Sequence, residues 1–367
     1  MSHSIASTET LRVLMIPDYR SANPYQTLLV KALESEGVEV LFDCDYDRVF
    51  PIFRAIKTDV NRINVLHIHW LNPHLKGENQ LTRFIYASKF LIDVLLTKWS
   101  GVRVVWTVHN YISHESQSPG LEKWTQQILL KLADSIIFHS FAALKDISQI
   151  YQFDNFKAEV IPHGHYREIY HSAIDKIAAR KILELPLSGH IYLNLGMLRP
   201  YKGIERLLQV WQENRNFLPD STLLIAGRVL DKVYGQKLAK QAQKTEGVIL
   251  HTDFIEDEKI HLFFSAADVV VLPFERILTS GSLILAMSYG KPIIAPRTSG
   301  IAETLGTADW LLYDPEDNQG LLHTLRKSTQ IDVSALSELV HQECDRLDWG
   351  KIGRLTQQIY HSFTKSN

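Results

Sequence analysis

Along the whole chain, short runs of β-branched and other apolar residues alternate with longer stretches whose apolar positions recur at helical spacing. Strands buried in a parallel sheet read as short continuous apolar runs, and amphipathic stretches between them read as crossover helices. The pattern therefore predicts repeated βαβ units. In the first half, strands are expected at Leu11 to Ile16, Val38 to Phe42, Ile63 to Ile68, Val102 to Val108, Ser135 to Phe138 and Ala158 to Ile161. Helices are expected at Tyr25 to Ser35, Gln80 to Lys98, Leu121 to Leu132 and Phe141 to Ile150. A polar joint at Gly164 to Ser172 interrupts the alternation, which restarts with strands at His190 to Leu195, Ser221 to Ala226, Val248 to His251, Asp268 to Leu272, Pro292 to Ala295 and Trp310 to Tyr313. The reading is α/β: two doubly wound parallel-sheet domains, over residues 1–168 and 169–346. The last segment, 347–367, carries Ile352, Leu355, Ile359 and Phe363 near helical spacing and is expected as a helix able to pack on either domain. Open parallel sheets bind ligands at the carboxyl ends of their strands, so the expected site is a cleft between the domains.

Composition removes whole classes of function. The 367 residues suffice for about two cores, and 45% hydrophobic with 22% charged residues is a globular balance. Positive and negative residues number 17 and 18 up to Tyr170 and 22 and 23 after it, so neither half is a basic nucleic-acid arm. The longest apolar runs fall far short of the roughly 20 residues that span a bilayer. Met1 to Thr10 is polar and lacks the features of a secretory signal, and Cys44 and Cys344 stand 300 positions apart. A reduced, soluble, cytoplasmic protein is expected.

The most informative stretch of the second half follows the strand Ile191 to Leu195 and reads Gly196-Met197-Leu198-Arg199-Pro200-Tyr201-Lys202-Gly203. Glycine permits a tight exit from the strand, while a forked cation and a point charge beside a helix start suit an anion such as phosphate. Taken alone, Arg199 and Lys202 read equally as solvated loop charges. Downstream come Gly227-Arg228, then Phe254-Ile255-Glu256, then Ala267 to Pro273, then Glu275, then Thr279-Ser280-Gly281 opening a helix that ends at Gly290, then Lys291 to Pro296.

This ordered set resembles the nucleotide-sugar-dependent glycosyltransferases of the GT-B fold. The likeness is to the large retaining family that includes sucrose synthase and phosphatidylinositol mannosyltransferases, and it covers nearly the whole chain. It implies two Rossmann-like domains facing a central cleft, the first for the acceptor and the second for the donor. It implies that Arg199 and Lys202 bind the donor diphosphate, with Gly196, Gly227 and Arg228 nearby. The base is implied against Phe254 and Ile255, and phosphate oxygens at the helix start near Thr279, Ser280 and Gly281. Ser280 serves equally well as an ordinary N-cap, a role compatible with a phosphate site. A departing diphosphate gains negative charge, and cations with helix-terminal amides stabilise it without a metal. No metal or other cofactor is expected.

Two features depart from that family. Its two glutamates, eight positions apart, are matched here by Ile277 and Leu285, which makes this chain look like a bacterial sub-branch and leaves retention or inversion open. Glu275, two positions before the first, is either a sugar contact or a surface charge. The first loop, Pro17-Asp18-Tyr19-Arg20-Ser21-Ala22-Asn23-Pro24-Tyr25, replaces a glycine pair common in the family and is expected to shape the acceptor pocket.

In the first half, Val104 to His109 is a strand ending in a histidine where the fold presents groups to ligand. The resemblance places such a histidine beside the donor sugar, so His109 is the first catalytic candidate. His114 and Glu115 are candidates to take a proton from an acceptor hydroxyl, and Asp18 is a second such base. His67, His69, His163 and His165 form two His-x-His pairs, but no cysteine or carboxylate set completes a metal site. The stretch Gln80 to Lys98 reads as a packed core helix over most of its length, and secondarily as a surface that docks on a membrane.

The expected function is transfer of a sugar from a UDP- or GDP-sugar to a hydroxyl of a glycan, lipid-linked glycan or small acceptor, in envelope or exopolysaccharide synthesis. Peripheral contact with the inner face of a membrane goes with a lipid-linked acceptor, and no nucleic-acid partner is expected. The rival readings are a nucleotide-sugar epimerase and a non-catalytic donor- or glycan-binding subunit.

Overall fold

The computed structural model describes residues 10–363 apart from Ala22, Asp43, Asp47, Val60, Asn61, 112–117 and Arg276. The chain divides into two compact units, Met1–Gly164 with Trp349–Asn367, and His165–Asp348. The sequence placed the boundaries after residues 168 and 346.

The first unit is a six-stranded parallel sheet in the order β2-β1-β3-β4-β5-β6. Its strands are β1 (Leu11–Ile16), β2 (Val38–Leu41), β3 (Val65–Ile68), β4 (Arg103–Val108), β5 (Ser135–Phe138) and β6 (Ala158–Val160). Every residue of β1, β3 and β5 is buried, which is why these segments are mostly apolar rather than alternating, with His67 and Ser135 as buried polar members. Arg12 in β1 is the charged exception, and Glu39 and Asp59 pair with its guanidinium. Helix starts carry local signals: Asn23 accepts from the Tyr25 N–H ahead of Pro24, and Asn79 with Thr82 forms a reciprocal cap.

The helix Pro51–Thr58 was absent from the sequence reading. Its first-turn N–H groups at Ile52 and Phe53 are accepted by Asp93, at 3.0 and 2.8 Å, from about 40 residues away. The closing helix Trp349–Ser362 belongs to this unit and lies against Pro24–Ser35. A Cβ at Gly353 would meet the Ala32 carbonyl oxygen at 2.8 Å, so the small residue permits the close crossing.

The helix Gln80–Trp99 divides lengthwise. Ala87, Phe90, Leu91 and Val94 are core, as expected, while Leu81, Phe84, Ile85, Ile92 and Trp99 are exposed. No helix among the described residues is long and apolar enough to cross a membrane.

The second unit repeats the architecture in the order β12-β11-β10-β7-β8-β9, the classic doubly wound arrangement. Its strands are β7 (His190–Leu195), β8 (Ser221–Ala226), β9 (Val248–His251), β10 (Val269–Val271), β11 (Ile293–Pro296) and β12 (Leu312–Tyr313). At the amino end of this sheet the buried Arg180 donates to Asp268 at 2.7 Å, and the same carboxylate accepts from the Ile191 N–H at 2.8 Å. The helix Lys176–Ile182 that supplies Arg180 had no counterpart in the sequence reading.

Candidate functional site

The carboxyl edge of the first sheet is a row of imidazoles. His69 follows β3, His109 follows β4, His139 follows β5, and His163 lies three residues beyond β6. These strands are sheet neighbours in register, so one histidine just past each strand end puts the rings side by side.

The rings form a directed hydrogen-bond chain. The Ile161 carbonyl can only accept, so His139 Nδ1, 3.0 Å away, carries a hydrogen. In a neutral ring that leaves His139 Nε2 bare, and His109 Nδ1 donates to it at 3.4 Å. His109 Nε2 is then bare and accepts from His69 Nδ1 at 3.1 Å. The chain ends at His69 Nε2, a buried lone pair without a partner among the described residues.

Burial keeps these rings neutral. It pushes His139 down to about 4, with the Ile161 carbonyl opposing the shift, and His69 and His109 well below the ordinary range with help from neighbouring histidines. Trp70 stacks on His109 at 4.5 Å, and Tyr25 sets its ring against His69, His109, His139 and His163. His67 is held differently, 2.6 Å from the Tyr360 hydroxyl and 2.8 Å from Thr107 Oγ1, which ties the closing helix to the sheet.

His109 thus lies at its strand end, but with both ring nitrogens taken by other histidines. Asp18 is exposed, and Arg20 grips it through two contacts of 2.9 and 2.8 Å. The guanidinium holds that carboxyl below its usual range, which makes it a weaker proton acceptor. His114 and Glu115 lie outside the described residues. Among the described residues no group of three His, Cys, Asp or Glu is arranged to hold a metal ion. The sequence reading missed His69, His139, Trp70 and Tyr25 as members of one cluster.

In the second unit, β7 and β8 each exit through a glycine. Gly196 has φ 130° and Gly227 φ 146°, and a Cβ on Gly227 would meet the Gly196 carbonyl oxygen at 2.0 Å. Beyond them Lys202 is buried, with Nζ donating to Ser282 Oγ at 3.2 Å and no ion pair among the described residues. Burial, and then the Arg199 charge, push its ammonium down to about 8. Gly203 turns the chain with φ 68° into the helix Ile204–Glu213, packed so closely that a Cβ would meet the Pro273 carbonyl oxygen at 2.0 Å.

Ser280 caps the helix Gly281–Ser288 by accepting from the Leu283 N–H at 3.1 Å. The first-turn N–H groups of Gly281 and Ser282 have no acceptor within the helix. A buried cation, a half-buried Arg199, a hydroxyl and a helix start with its positive dipole end are together the groups that favour an anion. Ser282, missed in the sequence, joins Lys202 to that helix. Glu275 is exposed, with its N–H donating to the Tyr201 carbonyl at 3.0 Å. Phe254 is 66% exposed and Arg228 exposed, while Ile255 and Thr279 are half-buried.

Residues 189–329 match the family described as glycosyl transferases group 1. That match covers 141 of the 367 residues, and the chain as a whole is a glycosyltransferase with the GT-B fold. It is 27% identical over 347 residues, 93% of this chain and 88% of the relative, to the GDP-mannose:glycolipid 4-beta-D-mannosyltransferase of Xanthomonas campestris pv. campestris. Sucrose-phosphate synthase from Thermosynechococcus elongatus shares the fold with TM-score 0.74 and 17% identity, over 98% of this chain and 100% of the other. HepE from Anabaena, solved with UDP and glucose, does so with TM-score 0.72 and 17% identity, over 96% and 100%.

Proposed function

We propose that the enzyme transfers a hexosyl group from a nucleoside-diphosphate sugar, bound by the second unit, to a hydroxyl of a glycolipid bound by the first. The observation that carries this is Lys202, a buried ammonium without an ion pair among the described residues, beside Arg199, Ser282 and the start of Gly281–Ser288. A donor diphosphate supplies the charge that the site lacks. As the glycosidic bond breaks, negative charge grows on that diphosphate, and the two cations with the helix N–H groups stabilise it in place of a metal. The Xanthomonas relative makes GDP-mannose the first donor to test, and HepE makes UDP-glucose the second.

The first unit handles the proton. An acceptor hydroxyl that adds to the sugar must lose its hydrogen, and His69 Nε2, without a partner among the described residues, takes it once the side chains that close it off from solvent part for the acceptor. Burial weakens this base, as the guanidinium weakens Asp18. A proton taken there passes without any ring moving. His69 Nδ1–H goes to His109 Nε2, His109 Nδ1–H goes to His139 Nε2, and the imidazolium forms on His139 against the Ile161 carbonyl. His139 is where the charge is least disfavoured, because that carbonyl offsets part of the burial penalty.

A cytoplasmic enzyme acting on a glycolipid works at the inner surface of the membrane, and the exposed Leu81, Phe84, Ile85 and Ile92 suit peripheral contact. The test is a thermal-shift screen with GDP, UDP and their sugars, followed by transfer from the binding donor to a lipid-linked acceptor in EDTA. A ligand at 100 times its dissociation constant adds about 2.7 kcal/mol to stability. No shift with any nucleoside diphosphate rejects the donor assignment, and loss of transfer in EDTA rejects the metal-free one.

A further inference from the structure

The loops at the carboxyl ends of β2 and β3 and the helices Pro51–Thr58 and Gln80–Trp99 enclose a cavity of about 240 Å³. Its floor is Ile52, Phe90 and His74, all buried, with Pro51 and Pro73 in the walls. His74 stacks on Phe90 with ring centroids 4.2 Å apart. Its Nε2 is buried and has no hydrogen-bond partner among the described residues. Asp93 also lines the space, but its two oxygens accept the N–H groups of Ile52 and Phe53.

The mouth is cationic. The Lys76 and Lys89 ammoniums lie 5.5 and 6.0 Å from the Tyr86 ring centroid. Lys89 donates to the Arg48 carbonyl at 2.8 Å, and neither lysine forms an ion pair among the described residues. Beside the mouth, Leu81 and Ile85 expose apolar side chains to solvent.

An apolar floor with one unpaired imidazole nitrogen does not suit a sugar, whose many hydroxyls need many partners. The space is also below the roughly 300–1,000 Å³ of drug-sized sites, which suits part of a flexible chain. Two cations at the entrance, with no ion pair among the described residues, favour an anion there, although Asp93 already offsets part of the Lys89 charge. The geometry points to this cavity as the binding site for the lipid part of the acceptor, an alkyl or isoprenoid chain lying over Ile52 and Phe90 with a phosphate between Lys76 and Lys89. The assignment rests on the glycolipid-acceptor reading and gives that acceptor its place and chemical class. Tyr46, on the cavity wall, is an electrostatic neighbour of Tyr19 and Asp18. Tyr19 lies 5.3 Å from Trp70, which stacks on His109. Tyr46, Tyr19 and Trp70 thus succeed one another from the cavity wall toward the histidine chain, the direction in which the acceptor's sugar would extend.

The experiment titrates octyl phosphate, octanol and inorganic phosphate separately into the full chain by calorimetry, with no donor present. Octyl phosphate is expected to bind at least tenfold more tightly than either fragment. Lys76→Ala/Lys89→Ala, a change at the mouth that leaves the floor intact, is expected to remove most of that preference. Equal binding of octyl phosphate and octanol, or unchanged affinity in the lysine variant, overturns the assignment. Because no transfer is measured, absence of transferase activity would count against the proposed function alone. Equal transfer to lipid-linked and water-soluble acceptors, with no octyl phosphate binding, would count against the cavity alone.

Discussion

His69 Nδ1 lies 3.1 Å from His109 Nε2, and the direction of that bond is set two residues further along the chain of rings, where the Ile161 carbonyl accepts from His139. A single backbone oxygen therefore fixes the tautomers of three side chains on three strands. In the proposed relay, His139 acts on the acceptor hydroxyl only through His109 and His69.

His139→Phe tests this. Phenylalanine preserves the ring packing around Tyr25 and removes both hydrogen bonds of His139. Turnover should fall at least tenfold while nucleoside-diphosphate affinity stays within twofold, because that ligand rests on the second unit. His109→Ala should show the same split, more severely. A His139 variant that retains turnover within twofold of the parent excludes the relay.

Acid should destabilise this protein steeply. Burial lowers His67 to about 3, His163 to about 3 and His139 to about 4, and lowers His69 and His109 further. In the unfolded chain each returns to about 6.5. A base whose folded value is depressed contributes fully above the unfolded value, and the contribution is lost as pH falls. Between about pH 6.5 and pH 4 the unfolded chain binds protons that the folded one refuses. The loss is about 1.4 kcal/mol per pH unit for each histidine kept neutral. Urea midpoints measured from pH 8 to pH 5 should be level above pH 7 and drop below it. A level profile down to pH 5 would show that the rings are not buried neutral.

Much of the fold was legible because buried parallel strands are written as unbroken apolar runs, and β1, β5 and β7 match the expected spans residue for residue. The grouping of Lys202, Arg199 and the start of Gly281–Ser288 was legible because these residues lie in one continuous stretch from Gly196 to Gly203 and another from Thr279 to Gly281. The histidine chain was not, because His69, His109 and His139 are separated by about 30 to 40 residues and only the strand order makes them neighbours. The helix Pro51–Thr58 was hidden for a related reason: Asp93 caps it from another helix. The helix Gln80–Trp99 misled in part because its exposed stripe, Leu81, Ile85, Ile92 and Trp99, repeats at the same helical spacing as a buried one.

That stripe gives a membrane prediction. Leu81→Ser/Phe84→Ser/Ile85→Ser replaces three side chains that are 69%, 49% and 55% exposed, so little packing is lost. Sedimentation with vesicles of phosphatidylcholine and phosphatidylglycerol should fall at least fivefold, while transfer to a water-soluble acceptor is retained. Equal sedimentation of parent and variant removes this face as the contact.

Lys202 should make the second unit less stable than its fold permits, because its ammonium is buried with no ion pair among the described residues. An ammonium lowered from 10.5 to about 8 is disfavoured in the folded state, so at pH 7 it costs up to about 3 kcal/mol. Lys202→Met should therefore raise the melting temperature of the ligand-free protein while weakening nucleoside-diphosphate binding roughly tenfold or more. The pH dependence of binding follows from the same value. Below pH 8 the lysine is already charged and affinity is level. Above pH 8 binding must take up a proton, because the diphosphate raises the ammonium's pKa, so affinity should fall by up to tenfold per pH unit. Calorimetry at pH 7, 8 and 9 in buffers of different ionisation enthalpy reads both the fall and the proton uptake, and Lys202→Met should abolish both. A parent protein whose diphosphate affinity is level from pH 7 to pH 9 would place the phosphates away from Lys202.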